Sequence, residues 1–167
     1  MLQPVVRRTW APREKTPVHY SRDRHDRLSV IAGITVSPVR YRLGLCFQIH
    51  RENVNFEKVI EFITFLRQHL RRKFILVLDR LSAHRKAVRL LQAEHPGWFE
   101  VAWLPAYAPD LNPTELVWRN HCKYGDLANF LPDDVADLNR AVTTSLGSMR
   151  SETHLLRSFF LHAGPEM

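Results

Sequence analysis

The sequence predicts an α/β sandwich with a mixed sheet, and three observations lead to this class. A β-branched, apolar run at 28–36 and a run at 43–49 in which apolar side chains alternate are separated by a short polar loop, as in a β-hairpin. Strand-like and helix-like patterns then alternate along the chain, which is typical of a sheet with helices packed on it. Residues 74–78 form a continuous apolar run, which indicates a strand buried on both faces.

The spacing of apolar side chains predicts the helices between these strands. Asn55 is a suitable N-cap, and apolar residues recur at helical spacing over 56–70. A second helix is predicted from residue 82 or 83 to 95, where a Pro-Gly pair stops it. A strand over 98–104 and a Pro-rich loop over 105–112 come next. Further helices are predicted from Pro113, over 135–149 and over 155–161.

The composition fits a single globular domain over 1–167, since 45% of the residues are hydrophobic and can form a core. No apolar run approaches the roughly 18 residues that a membrane span needs. The N-terminus lacks the pattern of a secretory signal. Cys46 and Cys122 lie far apart without a zinc-binding spacing, which indicates reduced thiols in a cytoplasmic protein.

The net charge of +7, with a pI near 9.9, favours a polyanionic partner. More than half of this excess lies in residues 1–27, which carry seven basic and three acidic side chains. The segment has two interpretations, a solvated arm or a surface that contacts phosphates. In the second interpretation the candidate DNA contacts are Arg7, Arg8, Arg13 and Lys15.

Asp79 is the first candidate for a chemical role, because it is a charged residue next to an apolar strand. It directly follows the apolar run 74–78, at the carboxyl end of a predicted strand, where α/β sheets bind ligands. A charge in this position needs a cap, an ionic partner or a metal ion. The sequence around Asp79 alone is equally compatible with a capping carboxylate and with a metal ligand.

Glu115 also has two interpretations. Asn112 suits the N-cap, Pro113 suits the first helical position, and Glu115 falls at the third, where it could complete a capping box. That role does not account for the stiff, proline-rich loop before the helix. Such stiffness is useful if the start of the helix must be held against the end of another strand.

Two segments, LVLDRLSAHR at 76–85 and LPAYAPDLNPTELVW at 104–118, together resemble the DDE transposases of bacterial insertion sequences in the mariner-type superfamily. In that family the second and third acidic residues lie in such contexts. Here 35 residues lie between Asp79 and Glu115, close to the spacing usual in the family. The resemblance extends over about residues 7–130.

The resemblance implies a ribonuclease-H-like three-layer sandwich that cleaves and joins DNA at the ends of an insertion sequence. Asp79 and Glu115 would be catalytic residues and ligands of Mg²⁺ or Mn²⁺, with two ions in the complete enzyme. Two such cations about 4 Å apart can activate the attacking oxygen and stabilise the leaving one. His84 and Arg85 are further candidates for DNA contact. His84 could instead orient Asp79, or be a partly exposed histidine at the start of a helix without a functional role.

The sequence also departs from the pattern of the family that it resembles. The segment near Arg8 resembles the one that follows the first catalytic Asp, so we expect that ligand, the first central strand and the helix-turn-helix region to be missing. Arg80 stands where the family often has Asn, and its guanidinium could compete with metal as a counter-ion. We therefore expect the isolated chain to be marginally stable at best and catalytically inactive.

The expected partner is double-stranded DNA, at element ends and target, in association with the bacterial nucleoid. A homodimer or an assembly with full-length transposase is also expected, and no membrane partner. One alternative is a non-catalytic remnant that binds DNA or other transposase subunits. Another is a cellular metal nuclease of the same fold, which the segment PDLNPTE at 109–115 disfavours.

Overall fold

The computed structural model describes residues 12–13, 15, 27–119, 125 and 127–164. The first two strands form the predicted hairpin. Strands β1 (Ser29–Val36) and β2 (Leu43–His50) are antiparallel, and Val36 pairs with Leu43 beside the turn. Alternation along β2 turns Leu43 and Leu45 towards one core and Cys46 towards another, so this hairpin is covered on both faces.

Helix α1 (Phe56–Leu70) joins the hairpin to the second sheet. It begins at Asn55, whose side chain accepts a hydrogen bond from the Lys58 amide at 3.0 Å, as predicted for an N-cap. Its Phe62 packs with Cys46 of the hairpin, while its Ile63 packs with Leu76 of the second sheet. The helix therefore shares its apolar face between the two sheets.

The second sheet is a parallel pair. Strands β3 (Phe74–Leu78) and β4 (Phe99–Trp103) are joined by helix α2 (Ser82–Glu94), and Leu78 pairs with Trp103 at their carboxyl ends. The Leu104 amide also donates to the Leu78 carbonyl at 2.8 Å, which continues the pairing one residue further. Buried residues of α2 pack on the Leu76 side of this sheet.

Three further helices follow in the described residues: the short α3 (Pro113–Leu116) and the longer α4 (Val135–Ser151) and α5 (Thr153–His162). Leu146 of α4 and Leu156 of α5 are fully buried against the hairpin face that carries Leu45. The layers are thus α1 and α2, then the strands, then α3 to α5. No helix in this part of the chain is long and apolar enough to span a bilayer.

The predicted mixed α/β class with an incomplete sheet is confirmed, but the environment of β3 differs from the prediction. Residues 74–78 were predicted to be buried on both faces, and this is wrong. Ile75 and Val77 are 68% and 54% exposed, because α4 and α5 pack on the hairpin rather than on this face of β3. Within the described residues the strands form two separate pairs, and no described strand joins β1 to β3.

We predict that Leu146→Ala lowers the free energy of unfolding by about 2–5 kcal/mol, because it leaves a cavity under the hairpin. Leu161→Ala is the matched control, since Leu161 lies on α5 with 52% exposure and should cost less than about 1 kcal/mol. Urea unfolding followed by circular dichroism measures both. Equal losses for the two variants would contradict the packing of α4 on β2.

Candidate active site

Asp79 begins the turn between β3 and α2. Its Oδ1 accepts a hydrogen bond from the Leu81 amide at 3.1 Å and lies 2.5 Å from Nδ1 of His84. Helix α2 has Leu81 at its N-cap and no side-chain cap, so Asp79 shapes the preceding turn rather than capping the helix. Within the described residues Oδ2 forms no hydrogen bond, which leaves one carboxylate oxygen for another ligand.

His84 lies in the first turn of α2 and faces Asp79. Its side chain is 22% exposed, compared with 40% for Asp79. Because an ionised carboxylate only accepts hydrogen bonds, the proton in this contact belongs to Nδ1 of the imidazole. His84 therefore fixes the orientation of the Asp79 carboxylate.

The loop after β4 holds Glu115 by its backbone. The Asn112 amide donates to the Pro109 carbonyl at 3.0 Å, and the Asn112 side chain accepts from the Thr114 amide at 3.1 Å. A capping box would need the Glu115 carboxylate to accept from the Asn112 amide, but Pro109 already occupies that donor. Among the described residues the Glu115 carboxylate makes no hydrogen bond or ion pair.

The negative charges of Asp79 and Glu115 repel each other. Partial burial of its carboxyl group raises the pKa of Glu115, and the nearby negative charge of Asp79 raises it further. Both effects disfavour the ionised form of Glu115. A cation placed between the two carboxylates would reverse the second effect, so this pair is suited to holding one.

Arg80 does not neutralise Asp79, contrary to the expectation that it could act as a competing counter-ion. Its Nε donates to the Leu104 carbonyl at 3.2 Å, and it forms no ion pair with Asp79. This hydrogen bond to the Leu104 carbonyl, directly after β4, holds the guanidinium group of Arg80 away from the Asp79 carboxylate. Arg80 instead ties the end of β3 to the start of the loop that carries Glu115.

The other predicted DNA contacts are dispersed. Arg85 lies exposed on α2, next to His84. Arg13 and Lys15 are exposed and make no described contact with Asp79 or Glu115, while Arg7 and Arg8 lie outside the described residues. Arg89, which the sequence did not single out, is also exposed on α2 and lies four residues after Arg85.

The described site supplies two carboxylates. No group of three or more His, Cys, Asp or Glu side chains within metal-binding reach occurs in the part of the chain that the structure describes. Two carboxylates beside the carboxyl ends of parallel strands, in an α/β sandwich, are the arrangement expected of a nuclease-type metal site.

Comparison with known protein families agrees with this class. A family model described as DDE superfamily endonuclease matches residues 1–134, which is well over half of the chain. The chain belongs to this family, whose members generally use divalent metal ions and act on DNA. No curated protein matches the chain.

We predict that Asp79→Asn lowers the pKa of Glu115, because it removes the negative charge that helps to raise it. The part of the shift caused by burial should remain. A ¹³C NMR titration of the glutamate carboxyl groups measures this pKa. Asp110→Asn, in the same loop, is the control and should leave it unchanged; a Glu115 pKa insensitive to Asp79→Asn would show that the two groups are not neighbours.

Proposed function

We propose that this chain provides metal-dependent phosphodiester cleavage and strand transfer during transposition of a bacterial insertion sequence of the mariner type. Asp79 and Glu115 are the proposed catalytic, metal-binding residues. The observation that carries the proposal is that the carboxylate of Glu115 on α3 lies near enough to Asp79, at the end of β3, for the negative charge of Asp79 to raise its pKa, while Glu115 has no hydrogen-bond partner among the described residues. The family supplies the class of chemistry.

The chemistry of these groups suits Mg²⁺ or Mn²⁺. Both ions prefer oxygen ligands, and the free Oδ2 of Asp79 and the carboxylate of Glu115 are such ligands. When bound, divalent cations in this family's sites would activate the attacking water or 3′-hydroxyl and stabilise the leaving oxygen.

Neighbouring residues of the chain position these two ligands. His84 holds Oδ1 of Asp79, so that the carboxylate keeps one orientation. Asn112 fixes the start of α3, and the following helical turn presents Glu115. Arg80 and the Leu104 amide link the ends of β3 and β4, which limits relative movement of the two carboxylates.

We also propose that residues 135–164 belong to the same domain as the family match. Leu146, Met149 and Leu156 from α4 and α5 share one core with Leu45 of the hairpin. Removing these helices would expose that hairpin face. A domain ending at residue 134 would therefore lack part of its own core.

A second candidate function is that of a non-catalytic remnant that binds DNA or other transposase subunits. The observation that favours it is the presence of two, rather than three, clustered acidic ligands in the described residues. Such a remnant would retain the fold and a basic surface. It would bind DNA without cleaving it.

The enzymatic proposal predicts that Mg²⁺ or Mn²⁺ stabilises the chain through both carboxylates. At a metal concentration of 100 times Kd, binding adds about 2.7 kcal/mol, which corresponds to a rise in Tm of roughly 5–10 °C for a chain of this size. Asp79→Asn and Glu115→Gln should each remove most of the rise. Any nicking of supercoiled plasmid by the unmodified chain in Mn²⁺ should be lost in the same two variants.

Asp110→Asn is the control for both readouts, because Asp110 lies in the same loop in the exposed 3₁₀ turn and should change neither. A metal-dependent rise in Tm without nicking by the unmodified chain would favour the remnant. Equal responses to metal in the unmodified chain, Asp79→Asn and Glu115→Gln would contradict a metal site at these carboxylates.

His84 is proposed to act through Asp79, so His84→Ala should weaken metal binding by about 10–100-fold, the usual effect of losing a partner of a ligating group. Isothermal titration calorimetry with Mn²⁺ measures the affinity. His84→Gln, which can still donate a hydrogen bond, should restore part of it. An unchanged Kd in His84→Ala would show that the imidazole does not support the ligand.

A further inference from the structure

A basic groove lies beside the proposed metal site. The groove is open to solvent, has a volume of about 370 Å³ and is lined by one residue of the β3–α2 turn, four of α2 and one of β4. Three of the lining side chains are arginines, one is an amide and one is an indole. The lining residues, which we call the arginine groove, are Arg80, Arg85, Val88, Arg89, Gln92 and Trp103.

Helical spacing brings the α2 residues to one side of the groove. Arg85, Arg89 and Gln92 are four and three residues apart, and all three are exposed. Val88 is 4% exposed and forms the apolar floor between them. Trp103 is half-buried at the end of β4 and forms the opposite wall.

The positive charges of the groove have no counter-charge in the described part of the chain. Arg80 donates only to the Leu104 carbonyl, and Arg85 and Arg89 form no described ion pair. Elsewhere, cations such as Lys73 and Arg140 do meet carboxylates, at 2.7 Å and 3.1 Å. Three arginines line the groove with no carboxylate among its lining residues, which favours an anionic ligand with several binding positions.

Guanidinium groups are suited to phosphate, because their planar set of N–H donors can bind two phosphate oxygens at once. Trp103 adds a flat apolar surface against which a sugar or base can pack. A free phosphate ion would be too small to engage the full groove. A polymer of phosphates with intervening apolar groups matches its composition.

We propose that the arginine groove binds the phosphate backbone of the DNA strand that passes the carboxylates. Arg80 directly follows Asp79, and Trp103 pairs with Leu78 at the carboxyl end of β3, so one end of the groove lies at the strand end that carries Asp79. This inference rests on the proposed function, since it extends the substrate path of that site. It assigns to Arg80 and Arg89 a binding role that supplements the predicted contact of Arg85.

The test is binding of a short fluorescein-labelled DNA duplex to the full chain, measured by fluorescence anisotropy in EDTA over a range of salt concentrations. Arg85→Ala combined with Arg89→Ala should weaken binding on the order of tenfold at low salt. The plot of log binding constant against log salt should become shallower by about 1.8, because two phosphate contacts are lost.

The matched control combines Arg150→Ala with Arg157→Ala. These arginines are also exposed on helices, and their substitution removes the same two positive charges. They lie on α4 and α5, which pack on the opposite face of the hairpin from α1. Urea unfolding establishes that both double variants are folded. The proposal is overturned if the groove variant and the control variant show the same affinity and the same salt slope.

The EDTA condition separates this inference from the proposed function. If Asp79 and Glu115 bind no metal but the groove variant still loses affinity and salt slope, the groove stands and the enzymatic proposal fails. If metal binding depends on both carboxylates but the groove variant binds DNA like the control variant, the groove assignment alone fails.

Discussion

The parallel pairing of β3 with β4 is the constraint on which the proposed site depends. Leu78 pairs with Trp103, so the two strands end side by side. Asp79 follows β3, and the loop that leads to Glu115 follows β4. The Leu104 amide and Arg80 add hydrogen bonds at this same point. A shift in register of one residue would move Asp79 relative to the loop that follows β4 and turn the side chains of one strand to the opposite face.

The site combines rigid backbone with an electrostatic arrangement that is unfavourable without a ligand. Two carboxylates act on each other, and the pKa of Glu115 is raised, while the guanidinium groups close to them contact no carboxylate. A protein selected only for stability would pair these opposite charges. Their separation is understandable if metal ions neutralise the carboxylates and phosphates neutralise the arginines.

Local sequence determines much of this fold, and the parts that could be predicted are those with local causes. Asn55 and Asn112 were identified as N-caps because capping depends on residues within one helical turn. The exposure of Ile75 and Val77 could not be predicted, because it depends on where α4 and α5 pack. The direction of Arg80 depends on the Leu104 carbonyl, 24 residues away, and the arginine groove depends on Trp103 of β4.

The most direct test of the central claim is a crystal structure of the full chain with Mn²⁺, with anomalous diffraction used to locate the ion. If the two side chains share a metal ion, an anomalous peak should lie within about 2.5 Å of one carboxylate oxygen from Asp79 and one from Glu115. A fully occupied peak bound elsewhere, or bound by only one of these two side chains, would contradict a shared metal site at the ends of β3 and β4.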